Sequence, residues 1–190
     1  MKKKIVIALL ATAACSITHS FAQEEPVTSP KPKKFSIGVQ AMIINNPVGN
    51  YHLQQYGGGV YMRHFLGKHL ALSAQANLTY GARMGVDLAD VQRKSFDVPV
   101  LLEYHLLPGS KVRPYFAAGA GITGQHNSVM FRDGQPNTYT YTQSPFLQAA
   151  YGMTFNIGQK MSLHTSMFYR YNLDSRQSSM GLSIGLMRKR

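Results

Sequence analysis

From Phe35 onward, apolar and polar residues alternate with a period of two, in one segment after another. The clearest stretch sets Leu70, Leu72, Ala74, Ala76, Leu78 and Tyr80 on one face, with Ala71, Ser73, Gln75, Asn77 and Thr79 on the other. Successive side chains of a strand point to opposite sides, so this is a strand with one apolar face. Comparable segments begin near Phe35, Gly58, Phe96, Val112, Leu147, Met161 and Ser179. The pattern predicts eight strands of about ten residues, the length a tilted strand needs to cross a bilayer.

The connections predict how these strands are joined. Gly67-Lys68, Pro108-Gly109-Ser110 and Gly158-Gln159-Lys160 are tight-turn sequences. The other four links, near 44–56, 81–94, 125–143 and 172–178, are longer and polar. Short turns at one end and long loops at the other are the build of an eight-stranded antiparallel up-and-down transmembrane β-barrel, with both chain ends on the turn side. No apolar run of 18 residues exists beyond the leader. A membrane-spanning form of this chain must therefore be a closed barrel, because lipid cannot satisfy an open sheet edge.

A soluble barrel alternates too, but it turns its apolar face inward. Here the polar faces are rich in Gly, Ser, Ala and Gln rather than in the Lys and Glu of a wetted surface. Small and polar side chains suit the crowded inside of an eight-stranded barrel. The apolar faces also carry aromatics at both ends, Tyr80, Phe96, Tyr169 and Tyr171 toward the loops and Phe35, Tyr104 and Phe155 toward the turns. Two such belts are expected at the two membrane interfaces.

The amino-terminal region reads differently. Lys2, Lys3 and Lys4 precede the apolar stretch Ile5 to Ala14, a polar region, and the small-residue site Ser20-Phe21-Ala22. This predicts a cleaved secretory signal over residues 1–22, too short in its apolar part to span a bilayer as a helix. Thr12-Ala13-Ala14-Cys15 resembles a lipoprotein processing site, but Thr12 stands where that site wants an aliphatic residue. Cys15 is the single cysteine, so no intramolecular disulfide can form. Residues 23–34, with Pro26, Pro30 and Pro32, have little to bury and are expected to form a flexible periplasmic lead-in to a barrel domain spanning 35–190.

Charge changes the picture little. The chain has twenty Lys and Arg against eight Asp and Glu, a formal charge of +12. Removing Lys2, Lys3 and Lys4 leaves about +9, which favours an anionic neighbour. The basic residues are scattered singly and no nucleic-acid-binding motif is present, so no nucleic-acid partner is expected.

Two strands carry a family resemblance. Phe96-Asp97-Val98-Pro99-Val100-Leu101-Leu102-Glu103-Tyr104-His105 and the following Val112-Arg113-Pro114-Tyr115-Phe116-Ala117-Ala118-Gly119-Ala120-Gly121 resemble the PorT-like outer-membrane β-barrel family. The resemblance extends over the whole domain in pattern but only over these strands in residues. It implies an outer-membrane barrel domain and little about activity. The last strand also resembles the signal read by the barrel assembly machinery, which is thus an expected partner. That signal usually closes on an aromatic residue, whereas this chain runs on through Met187 to Arg188-Lys189-Arg190.

Charged residues on inward faces are the best-defined candidate site. Arg63, Glu103, His105 and Arg113 fall toward the turn-side ends of the second, fourth and fifth strands. In so narrow a barrel they are expected to pair as a salt-bridged plug, because an unpaired charge there is costly. A gate or a small pore is the competing reading. A second set, Arg83, Arg93, Lys94, Arg132 and Arg176, with His126, is placed on the loops, facing outer-membrane lipid and lipopolysaccharide. Loop 125–143 also carries Tyr139 and Tyr141, suited to recognising a partner.

His164-Thr165-Ser166 is similar to the His-x-Ser of outer-membrane lipid A deacylases, whose histidine activates the serine. Those enzymes also need an orienting carboxylate, and Asp174 is the single acid downstream. No histidine spacing suggests zinc, and Gly57-Gly58-Gly59 precedes no helix, so no cofactor is expected. The sequence therefore predicts a non-enzymatic integral barrel of the cell outer membrane with a structural, adhesive or envelope-associated role. A lipid-modifying enzyme or a small pore is the alternative.

Overall fold

Alternation forces the architecture. A strand with one apolar face must bury it or give it to lipid, and a sheet of such strands has two edges to satisfy. The computed structural model, which describes residues 35–48, 51–86, 89–131 and 136–189, resolves both demands by closure. The strands are β1 (Phe35–Val48), β2 (Tyr51–Phe65), β3 (Leu70–Val86), β4 (Ala89–His105), β5 (Val112–Phe131), β6 (Thr138–Ile157), β7 (Met161–Asn172) and β8 (Ser178–Lys189). Each pairs antiparallel with the next, and β8 returns to β1 from Ser36↔Lys189 to Asn45↔Met180. The chain is thus an eight-stranded antiparallel up-and-down transmembrane β-barrel. The expected signal and lead-in, residues 1–34, lie outside the described residues.

The two faces are inverted relative to a water-soluble barrel. Outward residues are large and apolar and stand exposed, as with Leu78 at 66%, Leu182 at 58% and Ile122 at 56%. Inward residues are buried, and most are polar: Gln40, Arg63, Asn77, Asp97, Glu103 and His164 among them. A continuous exposed apolar girdle has no stable state in water and is the surface lipid requires.

Two glycines show how so narrow a lumen is filled. A Cβ at Gly152 would collide with the Tyr115 ring and the Thr165 carbonyl, and one at Gly181 would collide with the Phe168 ring. Each glycine leaves the gap in which an aromatic side chain lies across the lumen. At the turn side, Gly109 and Gly158 take positive φ (116° and 69°), which tight turns favour in glycine.

The strands are longer than the alternation predicts. β5 and β6 run twenty residues each, whereas β7 and β8 run twelve. At about 3.3 Å per residue and a tilt of about 40°, these rise roughly 50 Å and 30 Å, against an apolar band of about 25 Å. The expected long loops shrink accordingly: most of 44–56, 81–94 and 125–143 is strand. The reason is physical. Above the bilayer both faces meet water, so the apolar contrast that marks a strand disappears while the hydrogen-bonded ladder continues. Thr138 to Gln143 are exposed on both faces yet pair with β5 through Val129↔Thr138. The mouth is consequently lopsided, with a tall wall on β4–β6 and a low rim at β7–β8.

Candidate functional site

Inward parity on β2, β4, β5 and β7 sends a set of large side chains to the turn-side end of the lumen. Arg63 and Glu103, each 1% exposed, meet there with Nε 2.6 Å from Oε2. His105 Nε2 lies 3.1 Å from the same carboxylate oxygen, and the Tyr61 hydroxyl donates to Oε1. Arg63 Nη1 donates to Thr154 Oγ1 at 3.1 Å, and Nη2 lies 3.3 Å from His164 Nδ1. The guanidinium sits over the rings of Tyr61 and Tyr115, each centroid 5.2 Å away. Tyr115 closes the circuit with its hydroxyl 3.1 Å from His164 Nε2. One cation and one anion are thus enclosed by aromatic rings and hydroxyls, an arrangement that offsets part of the desolvation cost of each charge.

Arg113 does not join this pairing. It is half-buried at the start of β5, and its Nε donates to the Ser110 carbonyl at 3.3 Å. Tyr61, Tyr115 and His164, by contrast, complete the cluster although no charge marked them. The signal for them was inward parity on the same level as Arg63.

Above the cluster, Gln40 Nε2 donates to Gln75 Oε1 and Asn77 Oδ1, both at 2.8 Å. Higher still, Arg170 on β7 reaches across to Asp97 on β4, Nη1 to Oδ2 at 2.9 Å. Its Nη2 donates to Gln148 Oε1, and its guanidinium stacks on Phe146 at 4.2 Å. The Asp97–Arg170 contact is a close charge pair, but its angles leave both Asp97 oxygens without an accepted hydrogen bond among the described residues. This pair forms the floor of a polar vestibule of about 370 Å³ at the loop-side mouth.

Arg93 corrects the placement of the loop cations. It lies in β4, 9% exposed, with Nε donating to Asn127 Oδ1 at 2.6 Å, and it lines the vestibule rather than the outer surface. Its odd-numbered position in β4 shares the inward parity of Ser95 and Asp97, and extension of the strand past Lys94 decides the matter. Lys94 faces out, and Arg176 occupies the β7–β8 turn with φ 53°. Arg83 is placed only by its backbone, opposite Val91, and Arg132 lies outside the described residues. Tyr139 and Tyr141 stand on the outward side of β6, with Tyr139 stacked on His126.

The hydrolase reading finds no assembled triad. The Ser166 hydroxyl meets Ser183 Oγ at 2.7 Å, whereas His164 is engaged by Tyr115 and Arg63. Asp174 lies at the opposite end, on the vestibule. Among the described residues, no group of three or more His, Cys, Asp or Glu is placed to hold a metal.

No protein-family model matches the chain, and no curated protein matches it by sequence. Solved structures do match the fold. The chain is similar to Neisserial surface protein A, with a TM-score of 0.59 and 16% identity over 83% of this chain and 97% of that one. It is similar to Ail, the attachment invasion locus protein of Yersinia pestis, with a TM-score of 0.60 and 16% identity over 83% and 98%. OprG, an outer membrane protein of Pseudomonas aeruginosa, gives 0.59 and 11% over 85% and 98%. The chain therefore has the fold of small outer-membrane barrels.

Proposed function

We propose that this protein is a non-enzymatic outer-membrane barrel that works as a plugged anchor, holding its projecting strand ends outside the cell for an adhesive or envelope-associated role. The observation that carries the reading is the lumen. Arg63, Glu103, Tyr61, Tyr115, His105 and His164 fill its turn-side end with buried side chains, which argues against an ion path through the described residues. The material above the membrane supports the same reading. The chain extends β5 and β6 well past the apolar girdle, which a barrel serving only as a spanning unit does not need.

Export uses the signal over 1–22, and assembly uses the carboxyl-terminal strand as substrate of the barrel assembly machinery. Membership of the PorT-like family rests on the Phe96–His105 and Val112–Gly121 strands. Lys94 and Arg176 are exposed, which supports their pairing with the phosphates of lipopolysaccharide. The attachment role that names Ail, a barrel of the same fold, makes adhesion the favoured form of the outward activity.

The test combines membrane fractionation with planar-bilayer recording. The protein should fractionate with the outer membrane and run faster on gels before heating than after it. It should pass no single-channel current. Steady conductance from the folded protein would overturn the plugged-anchor reading.

A further inference from the structure

We propose that the vestibule at the loop-side mouth is a binding site for the acidic unit of a saccharide, a sugar ring bearing one carboxylate, sulfate or phosphate. The proposal rests on the outward-facing role above and names what that end would hold. The cavity, about 370 Å³, has the size of a small-molecule site. Its walls are mostly amides and hydroxyls, such as Asn46, Gln125, Thr142 and Ser144. Such groups both donate and accept, as sugar hydroxyls do, and they offer little to an apolar ligand.

Charge selects the acid. Of the two guanidiniums on the cavity, Arg170 is already neutralised by Asp97 at 2.9 Å. Arg93 contacts an amide oxygen, that of Asn127, and has no carboxylate partner among the described residues. A nearly buried guanidinium pointing into a polar cavity is completed by an anion, best by a planar or tetrahedral oxyanion that takes two of its N–H groups. Asp97 and Thr123 close the floor beneath that guanidinium.

The lopsided mouth sets the direction of approach. The tall β4–β6 wall backs the cavity, and the low β7–β8 rim carries exposed Asp174. A ligand entering over that rim passes Asp174 and faces Arg93 on the β4 wall, above the Asp97–Arg170 floor. Its acidic group therefore turns toward Arg93 and away from Asp174.

The experiment titrates glucuronate, glucose and inorganic sulfate into the full protein folded in phospholipid nanodiscs, read by calorimetry or by amide shifts. Saturable glucuronate binding is expected, at least tenfold tighter than that of glucose or sulfate. Arg93→Gln should weaken it tenfold or more, Asp174→Asn should tighten it severalfold, and Lys94→Gln on the outward face should leave it unchanged. Repeating the titration in nanodiscs containing lipopolysaccharide separates the sources: competition there identifies the membrane's own glycolipid, and its absence identifies a foreign glycan. Equal affinity for sulfate and glucuronate would reduce the site to an anion hole and overturn the saccharide assignment. So would no binding by protein that shows heat-modifiable mobility, or binding indifferent to Arg93→Gln. Channel activity would break the plugged-anchor reading while leaving these titrations interpretable.

Discussion

The two ends of one lumen obey the same inward parity and come out opposite. Toward the turns, Tyr61, Arg63, His105, Tyr115 and His164 fill the bore, and toward the loops Ser95, Thr123, Asn127 and Ser144 leave a vestibule. Both ends are polar and both hold a carboxylate–guanidinium pair. Polarity therefore does not decide whether this barrel is open. Side-chain volume decides it, together with the number of partners each charge can recruit: Glu103 has Arg63, His105 and Tyr61, whereas Asp97 has Arg170.

Removing one charge from the closed end should have the largest effect. Glu103→Gln leaves the Arg63 guanidinium buried without its anion, a change that costs about 3 kcal/mol or more. A large fall in the urea midpoint of the detergent-folded protein is expected, still with no conductance. Arg63→Met combined with Glu103→Leu should recover much of that loss, since an apolar pair of similar volume removes both desolvation costs. A conducting Glu103→Gln protein would mean that the cluster gates a path instead of filling space.

Packing gives the next largest contrast. Gly152→Ala places a methyl group against the Tyr115 ring and the Thr165 backbone, neither of which can move freely, and should cost about 1–3 kcal/mol. Gly124→Ala meets the hydroxyl of outward-facing Tyr141 at 3.0 Å, the far end of a mobile side chain, and should cost less than about 0.5 kcal/mol. Chemical denaturation of the two variants side by side measures the difference in constraint between interior and rim.

Much of this was legible in the sequence, and the exceptions have two causes. Alternation located eight strands and their direction, and the tight turns ordered them, because lipid outside and a narrow bore inside impose the same contrast at every strand. Parity alone puts Arg63, Glu103 and His105 at one end, and the structure brings those three together. The Asp97–Arg170 pair was not legible. It joins β4 to β7 across the bore, and no local spacing encodes which strands face each other after closure. The strand extensions were hidden as well, since Thr138 to Gln143 lie where both faces are wet. Their one trace was the Thr-Tyr repeat, whose residue types favour strands without any apolar alternation. The same blindness put Arg93 on a loop.

Removing a charge from the open end should have a smaller effect. Asp97→Asn removes the anion from a guanidinium that keeps Gln148 and the Phe146 face and borders a cavity able to hold water. The cost should be about 1–2 kcal/mol, clearly below that of Glu103→Gln measured under the same conditions. Equal costs would show that the vestibule floor is as dry as the plug.

The smallest effect separates the barrel body from the ribbon above it. Where β6 leaves the mouth, Thr138 to Gln143 hold to β5 through a ladder open to water on both sides, whereas Phe146 is fully buried and Leu147 to Ile157 are flanked by two strands. Backbone hydrogen bonds with solvent on both faces open at low free energy. Amides of 138–143 should therefore exchange with deuterium well before those of 147–155. Tyr139→Ser and Tyr141→Ser should speed that exchange while shifting global stability by less than about 0.5 kcal/mol. Matching exchange rates in the two segments would mean that the ribbon is covered by something beyond its own ladder. The Tyr139–His126 stack would then be the first contact to dissect.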